Sequence, residues 1–285
     1  ARHGAQPPQE FLELGHLLDE MRLFKSADEI KLMQRAADIS VEAHRAAMRA
    51  ARAGIHEYEL QAELERVFRM HDAQPAYASI VGAGANACVL HYRDNNAKSR
   101  DGELVLIDAG AEYRGYAADI TRTFPVNGRF GKEQRALHDL VCASAAACAA
   151  QAKPGTPYEA GHEAAVETLT EGLLSLGLLK GTLKTALANG DYKRFYRHKT
   201  GHWLGLDVHD VGEYRIDGES RLLEPGMVFT IEPGLYIPSD ADVPSKWRGI
   251  GIRIEDDVLV TTDGHRVLTG SLWRGADEVE ALMAR

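Results

Sequence analysis

Gly102-Glu103-Leu104-Val105-Leu106-Ile107-Asp108-Ala109-Gly110, followed by Glu112-Tyr113-Arg114-Gly115-Tyr116 and then Asp119-Ile120-Thr121, is the stretch whose reading decides the fold. Leu104 to Ile107 is short, continuously apolar and bounded by glycines, which favours a buried strand over a helix. Asp108 therefore ends a buried strand. A two-residue return turn at Tyr113-Arg114 or Arg114-Gly115 makes a β-hairpin and sets Asp119 opposite Asp108 or one diagonal step away, on the same face. Two carboxylates that close repel unless they share a proton or bind cations.

The pattern recurs. Gly226-Met227-Val228-Phe229-Thr230-Ile231-Glu232-Pro233-Gly234 aligns without a gap on Gly102 to Gly110 and puts Glu232 where Asp108 stood. Gly251-Ile252-Arg253-Ile254-Glu255-Asp256-Asp257 then follows as an alternating strand with an acid at its end, as Asp119 followed Asp108. One ligand-bearing hairpin used twice predicts two pseudo-symmetric halves around a shared dinuclear metal site.

Bulk properties bound the rest. A chain of 285 residues, 45% hydrophobic, can bury one large core or two modest ones. The net charge of −9, without a dense basic run, argues against nucleic acid as a partner. No apolar run reaches the ~18 residues of a transmembrane helix, and the start lacks a signal-peptide layout, so no membrane partner and a cytoplasmic location are expected. Cys88, Cys142 and Cys148 show neither redox nor metal-ligand spacing and read as reduced thiols.

Residues 1–20 carry Pro7-Pro8 and little periodicity, and read as a linker or the remnant of an absent upstream domain; 21–285 read as the folded part of the chain. Ser26-Ala27-Asp28-Glu29 is a capping box, and Ile30, Met33, Ala37, Val41 and Met48 continue at helical spacing towards Gly54. A second helix is predicted over Glu57 to Met70, with further helices over 132–153 and 157–177. Gly-rich Ile80 to Asn86 lacks the third glycine and setting of a dinucleotide fingerprint and reads as strand and loop. Alternating helices and antiparallel hairpins predict an α+β fold.

Between Arg197 and Asp210 stand His198, His202 and His209, three of the chain's 12 histidines, among glycines that discourage a helix. A site holding four carboxylates gains from one imidazole ligand, which shifts its preference from calcium or magnesium towards manganese, iron, cobalt or zinc. His91 sits on a loop. Arg253 lies two residues before Glu255, on the same face if the strand is regular.

Asp108, Asp119, His202, Glu232 and Glu255, in this order and setting, resemble the five metal ligands of the pita-bread metallopeptidases. The surrounding text, His91-Tyr92, Tyr116 through Gly128, Gly201 through Gly212 and Gly249 through Asp257, resembles aminopeptidase P, and the resemblance runs from about Glu20 to Met283. It implies a pita-bread fold of two pseudo-symmetric halves. It also implies two divalent ions, most often Mn2+, with Asp108 on one, Asp119 and Glu255 bridging both, and His202 and Glu232 completing the other. Hydrolysis of the N-terminal Xaa-Pro bond would then use a metal-bridging hydroxide, with Glu232 as general base. By the same resemblance His91 and His209 bind substrate and stabilise the transition state, and His198 and Arg253 belong to the pocket for the second-position proline. Peptides with proline at position 2 are the implied partners.

Members of that family carry a further N-terminal domain, so the sequence is expected to be an excised, processed or naturally short catalytic domain. Oligomeric state, a dimer or tetramer in the family, stays open with it. Prolidase, an Xaa-Pro dipeptidase with the same ligands, is the alternative enzyme. A non-catalytic pita-bread binding module is the alternative class, and creatinase lacks this ligand set.

Overall fold

In the computed structural model, residues 13–272 and 274–284 are described. In chain order these contain α1 (Gly15–Leu23), α2 (Ala27–Ala50), α3 (Glu57–Met70), β1 (Gln74–Pro75), β2 (Ile80–Ala83), β3 (Leu104–Asp108), β4 (Ala111–Tyr113), β5 (Tyr116–Ala117) and β6 (Thr121–Pro125). There follow α4 (Lys132–Ala149), α5 (Tyr158–Ser175), α6 (Leu183–Asn189), the short hairpin β7 (Arg215–Ile216) and β8 (Glu219–Ser220), then β9 (Val228–Ile231), β10 (Gly234–Ile237), β11 (Ile250–Arg253), β12 (Asp256–Thr261), β13 (Gly264–Val267) and α7 (Ala276–Met283).

Local chemistry accounts for the helix starts. The Glu29 amide donates to Ser26 Oγ at 3.4 Å while the Ser26 amide donates to Glu29 Oε2 at 2.7 Å, the reciprocal cap expected from the sequence. The second helix spans Glu57–Met70, as its apolar spacing predicts. Helices α4 and α5 are shorter than predicted, because the chain turns at Ala150 and enters α5 only after Pro157. Helix α1 begins inside the stretch read as linker, and residues 1–12 of that stretch lie outside those described.

The two long hairpins repeat strand for strand. β3 pairs antiparallel with β6 and β4 with β5; β9 pairs with β12 and β10 with β11. The turn between β4 and β5 falls at Arg114-Gly115, both at positive φ (54° and 89°), the two-residue hairpin geometry whose twist matches the strands. Each long hairpin breaks midway and passes from one small sheet into another. Its break lies at the glycine that ends each nine-residue repeat: a Cβ on Gly110 would fall 1.7 Å from the Ala118 carbonyl oxygen, and one on Gly234 2.8 Å from that of Ile252. Only glycine lets the backbones cross that closely.

Paired helices cover each half. Leu60, Leu64 and Phe68 of α3 and Ile39, Ala43 and Ala47 of α2 pack on Val105, Ile107 and Phe124; Leu137 and Val141 of α4 and Leu169 and Leu173 of α5 pack on Leu235, Ile237 and Ile252. Burial stabilises by ~1.5–3 kcal/mol for each large aliphatic side chain.

One buried histidine gives the fold an acid-sensitive element. His138 on α4 is fully buried against Phe130 at 4.6 Å between ring centroids, and burial, with Arg122 and Arg135 nearby, pushes its pKa down from 6.5 to about 4. The unfolded chain therefore takes up the proton first as pH falls, and His138's contribution, fully present above about 6.5, is lost towards pH 4. We expect wild type to lose about 2–3 kcal/mol more than His138→Gln between pH 7 and 4.5 in denaturant titrations. Equal acid slopes would overturn this.

Candidate metal centre

Where the two hairpins break, their carboxylates meet. Asp108 closes β3, Asp119 stands in the break before β6, Glu232 follows β9 and Glu255 sits between β11 and β12. The observed register pairs Asp108 with Thr121, so Asp119 lies on the diagonal from Asp108, one of the two placements the sequence allows. All four line a cavity of about 920 Å³ together with His91, His198, His202, His209 and Arg253, so every site residue read from the sequence comes to one place. Asp119, His202 and Glu255 each present a ligand atom within 4.8 Å of the others.

His202 reaches the acids because residues 200–203 run alongside β9: the Thr230 amide donates to the His202 carbonyl at 2.9 Å and the Glu232 amide to that of Thr200 at 2.8 Å. Its Nδ1 lies 3.0 Å from the Trp203 carbonyl, which fixes the tautomer and leaves Nε2 towards Asp119 Oδ2 at 3.4 Å and Glu232 Oε1 at 3.7 Å. His209 meets the His202 ring edge to face at 4.3 Å, while His91 is exposed on the cavity wall.

Arg253 is the buried organiser. It donates from Nη2 to Asp108 Oδ2, from Nη1 to the Tyr236 hydroxyl at 3.0 Å, and from Nε to Thr121 Oγ1 at 3.0 Å. Thr121 Oγ1 in turn donates to Glu255 Oε2 at 2.6 Å, and His198 Nε2 lies 2.9 Å from the Tyr236 hydroxyl. The strand is not regular between Arg253 and Glu255, since β11 ends and β12 begins there, and Thr121 joins the two side chains across the break.

Converging charge sets the protonation of the group. Burial, together with Asp119, Glu232 and Asp108, lifts Glu255 well above the usual carboxylate range. Burial raises Asp108 to about 6, with Arg253 opposing, and Glu232 to about 7, with His202 opposing. Burial acts on Asp119 in the same sense, but the His202 hydrogen bond and charge outweigh it and hold Asp119 low. Reciprocally, Asp119 overcomes the burial of His202 and raises it to about 9, whereas burial and Arg253 depress His198 to about 3.

Four acids face one buried guanidinium and one imidazole, with oxygen and nitrogen donors and no thiolate among them. This donor set fits hard to borderline divalent cations and leaves negative charge that such cations neutralise.

The sequence reading missed four residues here. Tyr77 places its hydroxyl 2.6 Å from Asp108 Oδ1 and 2.5 Å from Asp119 Oδ1, so its one proton serves two carboxylates. Thr121 and Tyr236 carry the Arg253 network, and Asp257 accepts the Asp119 amide at 3.2 Å. Only Asp257 had a signal, its place in the acid run 255–257; Tyr77 and Tyr236 enter through long-range packing that no spacing reveals.

Paired hairpins meeting at carboxylates and an imidazole define a pita-bread metallopeptidase, and the chain belongs to metallopeptidase family M24, whose model matches residues 31–262. It is 48% identical over 284 residues to the Xaa-Pro aminopeptidase of Escherichia coli (strain K12), covering 99% of this chain and 64% of that protein. To the Xaa-Pro aminopeptidase of Haemophilus influenzae it is 46% identical over 275 residues, covering 96% and 64%. The aminopeptidase PepP of Pseudomonas aeruginosa superposes with a TM-score of 0.98 at 55% identity, covering 99% of this chain and 64% of that one. Aminopeptidase P from E. coli with the inhibitor Pro-Leu superposes at 0.96 and 48% identity, with the same coverage. The α+β pita-bread fold expected from the sequence is the fold observed, and the chain spans 64% of the length of these relatives.

Proposed function

We propose that this chain is the catalytic part of a metal-dependent Xaa-Pro aminopeptidase, releasing the N-terminal residue from peptides with proline second. The observation that carries the reading is the convergence of Asp108, Asp119, His202, Glu232 and Glu255 in one cavity beside the linked Arg253, Tyr236 and His198. Similarity to relatives named Xaa-Pro aminopeptidase supports it.

In this reading Asp108 would hold one divalent ion and His202 and Glu232 a second, with Asp119 and Glu255 serving as ligands to both. Manganese is the proposed metal. Two such ions, ~3.5–4 Å apart in dinuclear hydrolases, lower the pKa of water and offset charge developing on a carbonyl oxygen. Glu232, on the cavity wall with Asp108, Asp119 and Glu255, would take a proton from the attacking water and return it to the leaving nitrogen. His209 and His91 face the cavity as donors to the substrate carbonyl and backbone.

His198 and Arg253, held from behind by the buried Tyr236 hydroxyl, form the wall proposed for the proline ring. An Xaa-Pro amide has no N–H and a fixed φ, so a site that asks for no donor there and fits the ring accepts it at little entropic cost. A cytoplasmic setting belongs to the same proposal, and the unpaired Cys88, Cys142 and Cys148 fit a reducing compartment. Among the described residues no helix is long and apolar enough to cross a membrane.

The test is steady-state release of the first residue from Arg-Pro-Pro, with and without manganese, beside the dipeptide Arg-Pro. Manganese-dependent cleavage of the tripeptide with little of the dipeptide is expected. Preference for the dipeptide would make the chain a prolidase, and cleavage of neither would overturn the enzymatic reading of this chain.

A further inference from the structure

Among the cations lining the cavity, one has no acid to answer it. Arg253 is paired with Asp108 and His202 with Asp119, while Lys199 and Arg215 both lie against Glu159, at 3.8 and 2.5 Å. Arg93 lines the same cavity, is exposed, and forms no ion pair or hydrogen bond with any described residue.

Its loop is held in place. The buried Glu57 carboxylate accepts from the Ala83 amide at 2.7 Å, Asn86 Nδ2 at 2.9 Å, the Tyr92 hydroxyl at 2.8 Å and the Ala97 amide at 2.8 Å. Asn95 adds bonds from its Nδ2 to Gln61 Oε1 at 2.9 Å and to the Ser79 carbonyl at 2.8 Å. Arg93 thus stands between two tethered neighbours, and little backbone freedom is lost when it engages a ligand.

The loop also has a defined side. Tyr92 and Leu90 pack with Ile80 and Tyr236 in one cluster, and the Tyr236 hydroxyl is bonded to Arg253 and His198, the proposed proline wall. The loop of Arg93 therefore borders the proposed proline wall and opens on the same cavity, where a chain continuing past the proline is proposed to meet it. One more residue adds ~3.3–3.6 Å of reach, and a carboxylate there would find in Arg93 a cation with no acid paired to it among the described residues.

We propose that Arg93 is a specificity residue that binds the C-terminal carboxylate of short peptides one residue beyond the proline. This rests on the aminopeptidase reading, and the experiment separates the two. kcat/KM is measured with manganese for Ala-Pro-Ala as free acid and as C-terminal amide, in wild type, Arg93→Gln and Arg93→Lys, at low and high salt.

For an exposed charge pair the acid should be favoured about fivefold over the amide at low salt. The ratio should fall towards 1 in Arg93→Gln, be partly kept in Arg93→Lys, and shrink with salt. A wild-type ratio near 1, or one unchanged in Arg93→Gln, overturns the proposal while the cleavage itself upholds the aminopeptidase. No cleavage of either peptide overturns both. A further pair, Ala-Pro-Asp-amide against Ala-Pro-Asn-amide, asks whether a side-chain carboxylate is read: a ratio that matches the acid-to-amide ratio and also collapses in Arg93→Gln extends the same contact. One that survives Arg93→Gln counts against Arg93 as the anchor.

Discussion

Glu255→Ala is expected to purify with half the wild-type metal or less and to turn over at least ~10³-fold more slowly, with Asp119→Ala behaving alike. Burial first, and then the charges of Asp119, Glu232 and Asp108, lift Glu255 well above the ordinary carboxylate range. Removing it takes away a proposed shared ligand and also relieves repulsion among the acids that remain. The metal-free variant should therefore unfold no earlier than metal-free wild type, which separates lost ligation from misfolding. Elemental analysis, kcat on Arg-Pro-Pro and thermal unfolding after chelation are the measurements. His209→Ala is the contrast: its ring abuts His202 without joining the acid cluster, so it should keep its metal and slow about 10²-fold. Wild-type-like kcat in Glu255→Ala would sink the dinuclear reading, and metal loss in His209→Ala would reassign the histidine ligand.

Much of this was legible in the sequence because the repeat carries its own geometry. The nine-residue match between 102–110 and 226–234 marks both the strand that delivers an acid and the glycine at which the hairpin must break, and β3 to β6 recur as β9 to β12. What could not be read was the break itself. A continuous hairpin and a broken one share the same alternation, and only the approach of Gly110 to the Ala118 carbonyl reveals that Asp119 and Asp108 lie at a junction between sheets. Tyr77 was invisible for a similar reason. It precedes β2 in a loop, and its role depends on β2 lying antiparallel to β3, with Ile80 opposite Asp108. Glu57 carried no signal beyond its place at the start of a predicted helix, because its partners lie 26 to 40 residues away in sequence.

Arg122→Met is expected to destabilise the metal-free protein by about 3–5 kcal/mol, the cost of breaking a buried ion pair by removing one partner. Arg122 is 1% exposed and sits on β6 of the first half, yet its bonds reach into the second. Nη1 donates to the carbonyl of Glu255 at 2.6 Å, and Nη2 to Asp256 Oδ1 at 2.6 Å and to the Leu272 carbonyl at 3.0 Å. The Glu255 amide returns a bond to the Thr121 carbonyl at 3.0 Å, and the hydroxyl of Thr123 donates to the Arg253 carbonyl at 3.0 Å. The halves are thus sewn together at the backbone of a proposed metal ligand. A loss of this size should lower Tm by roughly 10 °C, from ~2–4 °C per kcal/mol for domains of this scale. Asp256 keeps Arg274 at 2.9 Å and Thr269 at 2.7 Å, so its charge is not wholly orphaned and the lower end of the range is favoured. Coupling decides whether the pair or mere packing is at stake. In a cycle with Asp256→Asn, the double variant should be less destabilised than the sum of the singles by at least ~1 kcal/mol. Additive losses, or a fall below ~1 kcal/mol for Arg122→Met alone, would mean that the two halves are held by their sheets and helices and that Arg122 only fills space between them.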